Sequence, residues 1–156
     1  MKAKSIKGKS TEEIQSGLRE SMADGFKPTI AIVFISVKQD REAISGLLEE
    51  KGIQIFGATT AGEFIDGEME GGSIVMLLLD MNPAYFKLEF LETSQDTAFE
   101  DAIKLGNTGK ETFTNPAFII ANSGVTLDGE PFVEGIIQGF GKHPSSEDGE
   151  VTIFGG

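Results

Sequence analysis

The order of apolar and polar positions predicts a helix close to the start of the chain. Ser10 and Glu13 have the spacing of a helical capping box. Ile14, Leu18 and Met22 then recur every fourth residue, which places an apolar stripe along one side of a helix. The pattern therefore predicts an amphipathic first helix that begins just after Ser10.

The segments that follow predict a strand–helix–strand unit. Residues 29–37, TIAIVFISV, are apolar on both faces and rich in β-branched side chains, which is typical of an interior strand covered on both sides. Residues 39–51 predict a second helix that ends at Gly52, and residues 53–58, IQIFGA, predict another strand.

The middle of the chain predicts antiparallel structure. The acidic run DGEMEGG, residues 66–72, indicates an exposed loop. A strand is predicted over residues 73–80, SIVMLLLD, and Asn82-Pro83 breaks it. Residues 84–92, AYFKLEFLE, alternate between polar and apolar side chains and predict a further strand with one wet face.

The last third predicts a second strand–helix–strand unit. After a helix over residues 94–105 and a polar stretch come a strand at 116–123, PAFIIANS, a helix over 130–140, and a final strand at 151–156, VTIFGG. In both units the second strand contains Phe-Gly. Right-handed crossovers would make each strand pair parallel, although not necessarily adjacent.

These elements predict an α/β fold. Its core is a mixed β-sheet built from the two strand–helix–strand units and an antiparallel meander. Helices would cover the sheet in three layers, or in a four-layer αββα sandwich with two sheets. The 156 residues suit a single domain. The buried-type strand at the end of the chain indicates a fragment of a longer protein.

Composition excludes several classes of function. A formal net charge of −12 repels nucleic-acid phosphates and anionic membranes. The absence of cysteine excludes disulfides and thiol catalysis, and His143 is the only histidine, so a zinc cluster of His and Cys cannot form. The apolar run 74–79 is too short to span a bilayer, and the first ten residues lack the apolar core of a secretory signal. The cytoplasm is the predicted compartment, and no cofactor is indicated.

The stretch GATTAGEF, Gly57 to Phe64, is the main candidate for a binding site. It matches no phosphate-binding glycine motif, and no Lys or Arg adjoins it. A threonine nucleophile would need a neighbouring base. Small residues at this position also suit a tight turn. The remaining alternative is a small-molecule pocket, in which the glycines expose backbone, the threonines offer hydroxyls and the glutamate a carboxylate. The candidate ligand-binding residues here are Gly57, Thr59, Thr60, Gly62 and Glu63.

A second group of candidates lies towards the C-terminus. Asn122 and Ser123 stand at the end of a predicted strand, where open α/β sheets bind ligands, and the Gly155-Gly156 turn ends the last strand. Asp128 precedes a helix and is predicted to cap it. The sequence predicts that these residues and GATTAGEF converge on one crevice.

The order of three motifs resembles the N-terminal part of a FIST domain over Thr29 to Gly156. GATTAGE is similar to the family motif G-C-[ST]-[ST]-A-G-E, with Ala58 where cysteine is common. The stretch from Asn122 to Gly135 is similar to the second family motif, [SN]-[DS]-G-x…G-E-x-x-x-x-G. Gly155-Gly156 is similar to the start of the third motif, G-G-x-A-G-D. The departure at Ala58 removes any role for a thiol and keeps the small residues that shape the backbone.

The resemblance implies a sensory domain of intracellular signalling proteins that binds a small ligand such as an amino acid. A C-terminal FIST segment and a signalling output domain are the implied partners, and the resemblance carries over no catalytic residues. We expect the hydroxyls and backbone amides to hold a carboxylate and Glu63 to hold an ammonium group. The alternatives are a hydrolase or transferase that uses Thr59 or Thr60, and a protein-interaction scaffold.

Overall fold

A computed structural model describes residues 1–65, 67–122, 127–141 and 151–155. The chain divides into two compact units, Met1–Leu88 and Glu89–Gly156. Both units combine helices with paired strands, so the α/β class predicted from the sequence is confirmed.

A four-stranded mixed sheet forms the centre of the first unit, in the order β1-β6-β2-β3. The strand β6 runs antiparallel to both of its neighbours, and β2 and β3 are parallel. The elements are β1 (Lys2–Gly8), α1 (Thr11–Met22), β2 (Ile30–Ser36), α2 (Arg41–Glu49), β3 (Gln54–Thr60), β4 (Glu63–Ile65), β5 (Glu68–Glu70) and β6 (Ile74–Asp80). A separate antiparallel hairpin pairs β4 with β5.

Both helices of the first unit pack on the same face of this sheet. Ile14 and Leu18 of α1 and Leu48 of α2 are fully buried, and they share one core with Val33 and Met76 of the sheet. Truncating a fully buried leucine of this kind to alanine costs about 2–5 kcal/mol. The predicted interior position of β2 is confirmed, because it is hydrogen-bonded on both sides.

The opposite face of the sheet is not covered by α1 or α2. It carries the alternate side chains of β2 together with Phe56 and Leu77, which share that face by register. Phe34 of β2 is 38% exposed and Leu77 is 37% exposed. The predicted cover of β2 is confirmed for the side that faces the helices, and on the opposite side Ile30 and Ser36 are buried while Phe34 is partly exposed.

The predicted start of α1 after Ser10 and the predicted glycine stop of α2 are confirmed. The Ser10 side chain accepts a hydrogen bond from the Glu13 amide, and the Glu13 carboxylate accepts one from the Lys9 amide at 2.8 Å. At the end of α2, Gly52 has φ +70°, a left-handed conformation that favours glycine. Local capping chemistry thus sets the ends of α1 and α2.

The strand β1 was not predicted from the sequence. Its residues are mostly polar, and Ile6 is its only buried hydrophobic side chain. It is instead held by pairing along its whole length with β6, from Lys2 opposite Asp80 to Gly8 opposite Ile74. The antiparallel part of the sheet therefore comes from β6 between β1 and β2, and not from a meander of consecutive strands.

Two further expectations for the middle of the chain were wrong. Residues 84–92 form no strand: Pro83–Tyr85 is a short 3-10 helix and the rest is irregular. Alternation alone is insufficient there, because in the described part of the chain no strand pairs with this segment. The acidic run 66–72 is not wholly a loop, since Glu68–Glu70 forms β5.

The second unit contains two helices and a two-stranded parallel sheet. Its elements are α3 (Ala98–Thr112), β7 (Ala117–Ile120), α4 (Gly129–Phe140) and β8 (Thr152–Gly155). Here β7 and β8 are parallel and directly adjacent, as are β2 and β3 in the first unit. The predicted parallel pairing is confirmed in both strand–helix–strand units.

The helix α3 begins and ends later than the predicted residues 94–105, and its glycines are packing positions. A Cβ atom on Gly106 would lie 2.4 Å from the Ile136 carbonyl oxygen, so the backbones of α3 and α4 are in contact. A Cβ on Gly109 would lie 2.4 Å from the ring of Phe118, and that ring packs edge-on against Phe140. This contact carries the helix past residue 105 to Thr112.

Candidate functional site

Half of the GATTAGEF motif lies within a strand. Gly57 to Thr60 complete β3, paired residue by residue with Val33 to Ser36 of β2, and Ala61-Gly62 make the turn. Glu63 begins β4, where its backbone pairs with Glu70. The strand therefore ends later than predicted, because the β-branched threonines continue the ladder with β2.

The two threonines of the motif point to opposite faces of the sheet. Thr59 is paired with Ile35, whose side chain is buried on the helix-bearing face, whereas Thr60 is paired with Ser36. Successive side chains of a strand alternate between faces. A pocket on one face can therefore receive the hydroxyl of Thr59 or that of Thr60, but not both.

The glycine at the start of the motif is required by the sheet itself. A Cβ atom on Gly57 would lie 1.8 Å from the Val33 carbonyl oxygen. In the second unit, a Cβ on Gly155 would lie 2.0 Å from the Ile120 carbonyl oxygen, and Gly155 has φ +100°. Both glycines allow the second strand of a parallel pair to approach the first.

The internal similarity predicted from the sequence is present at the level of strand register. Phe56 lies opposite Ile32 in the first unit, and Phe154 lies opposite Ile119 in the second. In each unit the glycine after the phenylalanine is the next paired residue. The two strand–helix–strand units thus place Phe-Gly at matching positions.

A cleft between α2 and the outer edge of β3 contains two of the predicted site residues. This cavity of about 180 Å³ is lined by Val33, Ile35, Arg41, Ile44, Ser45, Ile55, Gly57, Ala58 and Thr59. A second cavity of about 380 Å³ is lined by Ser45, Glu49, Gly52, Ile53, Gln54 and Ile55. The two cavities share Ser45 and Ile55, so they form one continuous α2–β3 groove.

Arg41 is the functional candidate that sequence reasoning missed. It is the first residue of α2, directly after the capping residue Asp40, whose side chain accepts a hydrogen bond from the Ala43 amide at 3.0 Å. Within the described parts of the chain, no carboxylate lies within ion-pair distance of the Arg41 guanidinium. The fold therefore brings a cation to the cleft that contains Thr59.

The case against a phosphate at GATTAGEF rested partly on the lack of basic sequence neighbours. Arg41 reaches the cleft from α2, across the strand pair, so that argument does not apply to this cavity. The predicted start of α2 was the signal available in the sequence, because the first turn of a crossover helix lies near the carboxyl ends of the parallel strands.

The remaining predicted residues are more dispersed. Gly62 is exposed in the turn after β3, and Glu63 is described only by its backbone. In the second unit, Asn122 is half-buried just after β7, and Gly155 ends β8. The proposed roles of these residues in ligand binding stay predictions, as does their convergence on one crevice.

Several residues discussed from the sequence lie outside the described segments. They are Ser123, His143 and Gly156. The predicted capping role of Asp128 is confirmed, since its carboxylate accepts a hydrogen bond from the Glu130 amide at 3.2 Å. In the described residues, no group of three or more acidic or histidine side chains is placed to hold a metal ion.

The carboxyl groups with lowered pKa values are held by hydrogen bonds near helix ends. The hydrogen bond from Lys4 Nζ lowers the pKa of Asp24, and the Phe26 amide adds to this effect. In the second unit, hydrogen bonds from Lys104, Thr97 and Thr93 lower the pKa of Asp101. Both carboxyl groups therefore stay ionised at neutral pH. Asp24 lies just after the end of α1, and Asp101 lies in the first turn of α3.

Comparison with known proteins gives one match. The FIST N domain family model matches residues 29–156, a region that runs through parts of both units. No curated protein and no solved structure matched the chain. Among the described residues, no helix combines the length and apolar character needed to cross a membrane. Because the family model covers most of the chain, the protein belongs to the FIST N family, whose domains are sensory domains of signal transduction.

Proposed function

We propose that this protein senses a small metabolite with a carboxylate group, which binds at the Arg41 end of the α2–β3 groove. The observation that carries the proposal is that Gly57 and Thr59, two residues of the GATTAGEF stretch, line one cleft together with Arg41. The protein would act in the cytoplasm as a non-enzymatic input domain.

The chemistry of the cleft suits a carboxylate. A guanidinium presents two parallel N–H donors that match the two oxygens of a carboxylate. Thr59 and Ser45 supply hydroxyls that can donate or accept, and Ile35 and Ile44 supply an apolar wall. These groups together favour a compact ligand with an anionic end and a short apolar body.

The size of the cleft favours an amino acid over a larger metabolite. Drug-sized ligands occupy pockets of about 300–1,000 Å³. The Arg41 end of the groove has a volume of about 180 Å³, which suits the binding of a compact ligand at that end. Glu63, three residues beyond the end of β3, is the group that we propose for the ammonium of such a ligand.

Binding would carry a signal by changing the packing of α2 on the sheet. A ligand shifts a conformational equilibrium only as far as its affinities for the two states differ. A ligand that joins Arg41 of α2 to Thr59 of β3 would stabilise the state in which the helix is closed on the strand. The proposed recipients of that change are a C-terminal FIST segment and a signalling output domain.

The test is a thermal-shift screen of the twenty standard amino acids and small carboxylates at millimolar concentration, followed by calorimetric titration. A ligand at about a hundredfold excess over its Kd stabilises the folded state by about 2.7 kcal/mol. We expect a stabilising ligand whose effect is lost in Arg41→Ala and reduced in Thr59→Val.

Thr60→Val is the matched control, because it removes the same hydroxyl from the opposite face of the same strand. A shift that survives Arg41→Ala, or that Thr60→Val removes as fully as Thr59→Val, would contradict the proposed cleft. Turnover of a generic ester or amide that Thr59→Ala abolishes would contradict the non-enzymatic assignment and support a threonine hydrolase.

A further inference from the structure

The two edges of the four-stranded sheet differ in how they are protected. The edge strand β1 carries Lys2, Lys4 and Lys7, and charged edge residues of this kind discourage pairing with other chains. The opposite edge strand, β3, has the sequence QIFGATT and contains no charged residue or proline. Within the described residues, no strand pairs with its outer side. Among those residues, β3 is therefore an edge strand to which another strand can add.

The groove beside this edge has opposite charges at its two ends. Arg41, the first residue of α2, lines the cavity that contains Thr59 near the end of β3. Glu49, the last residue of α2, lines the cavity that contains Gln54 at the start of β3. The groove thus has a cation at one end and a carboxylate at the other.

We propose that the β3 edge is the dimer interface of this protein, where β3 of a second copy adds in antiparallel orientation across a two-fold axis at Gly57. Gly57 is the central residue of Gln54–Thr60, so this register places Ile55 of one copy opposite Thr59 of the other. The sheets of the two copies become continuous, and their helix-bearing faces coincide.

The charges of the groove are self-complementary in this arrangement. Reversing the strand direction brings the Arg41 end of one copy to the Glu49 end of the other, and the symmetry repeats the contact. The seam between the two strands contains no charged side chain. Each chain has a net charge of −12, but repulsion between distant surface charges is screened beyond about 8 Å at physiological ionic strength.

The partner strand would also cover apolar surface at the edge. Ile55 is 36% exposed and borders both cavities of the groove. In the dimer it lies beside Thr59 of the second copy, and the open side of the groove is closed. This interface shares Arg41 with the proposed ligand site but does not require a bound ligand, because it rests on the edge strand and the two charged ends of α2.

Sedimentation equilibrium of the full chain over a range of concentrations tests the proposal. We expect a reversible dimer and a monomeric Ile55→Lys variant, because lysine places a charge at the seam. Arg41→Glu and Glu49→Arg should each weaken the dimer about tenfold by creating like-charge contacts, and the double variant should restore it.

The charge reversals separate an interface effect from loss of folding. An acidic residue at the start of α2 and a basic residue at its end both favour the helix dipole, so neither change weakens the helix itself. Ser5→Lys on the opposite edge strand is the control and should leave the dimer unchanged, with circular dichroism to verify folding.

Other outcomes would overturn the dimer without touching the ligand proposal. A chain that stays monomeric at all concentrations would overturn it, as would a dimer that is unaffected by Ile55→Lys or that is not restored by the double charge reversal. Loss of the dimer in Ser5→Lys would assign it to the β1 edge. A stabilising carboxylate found for a monomeric chain would support sensing and reject the β3 interface.

Discussion

A Cβ atom on Gly57 would meet the Val33 carbonyl oxygen, which is a backbone atom that cannot rotate away. The Gly57→Ala variant should therefore lose at least about 2 kcal/mol of unfolding free energy, measured by urea denaturation. The glycine that begins the family motif is thus needed to hold β3 against β2, whether or not a ligand approaches it.

Gly46→Ala is the matched control for this substitution. Gly46 lies inside α2, where an added Cβ has no heavy atom within 4 Å. Alanine is a better helix former than glycine by about 1 kcal/mol, so this variant should be as stable as the natural chain or more stable. Equal destabilisation at both positions would contradict the close approach of β3 to β2.

The pair of Asp24 and Lys4 should make stability depend on pH. Asp24 Oδ2 accepts a hydrogen bond from Lys4 Nζ at 2.9 Å, and this bond holds the pKa of Asp24 below its ordinary range. A carboxyl whose pKa is lower in the folded state adds stability above its unfolded pKa, and that stability is lost as the pH falls through the folded pKa.

Urea unfolding of Asp24→Asn at several pH values checks this effect. The variant should differ most from the natural chain at neutral pH, and the difference should shrink below the folded pKa of Asp24. In Lys4→Met the carboxyl titration, followed by NMR, should move back towards its ordinary range. An unchanged titration in that variant would assign the lowered pKa to the Phe26 amide alone.

The helices α3 and α4 pack closely because glycines of α4 lie against the backbone of α3. A Cβ on Gly139 would lie 2.1 Å from the Ile103 carbonyl oxygen, and one on Gly135 would lie 2.4 Å from the Phe99 carbonyl oxygen. Gly139→Ala should therefore push the helices apart and cost about 2–3 kcal/mol, measured by chemical denaturation.

Glu134→Ala provides the comparison on the same helix. Glu134 is exposed on α4, so its replacement should change the unfolding free energy by no more than about 0.5 kcal/mol. If Gly139→Ala proved equally mild, the backbone contact between the two helices would have to be looser than the structure describes.

Sequence patterns predicted a helix or strand correctly where the residues of that element alone determine it. The apolar stripe and capping residues predicted α1, and the β-branched run predicted β2 as an interior strand. The strand β1 carries no such signal, because its partner β6 lies some seventy residues away and supplies the pairing. The end of α3 was misplaced because the polar stretch after residue 105 resembles a loop until the packing of Gly106 and Gly109 is known.

At the scale of the whole molecule, the family and the α/β class could be predicted from the sequence, while the groove could not. The order of the motifs indicated the FIST family, and the family model confirmed it. The cation of the cleft comes from another element, so no scan of GATTAGEF could reveal it. The packing of α2 beside β3 sets the position of Arg41, and the pairing of β3 with β2 sets the faces to which the threonines point. Sequence spacing encodes neither contact.

The continuous α2–β3 groove provides a position for a fluorescent label that reports whether the groove is occupied. The chain contains no cysteine, and Ser45 is exposed and borders both cavities of the groove. Ser45→Cys would introduce a single thiol in place of a hydroxyl of similar shape. A fluorophore attached there would report occupancy of the groove from either end, without background labelling elsewhere on the chain.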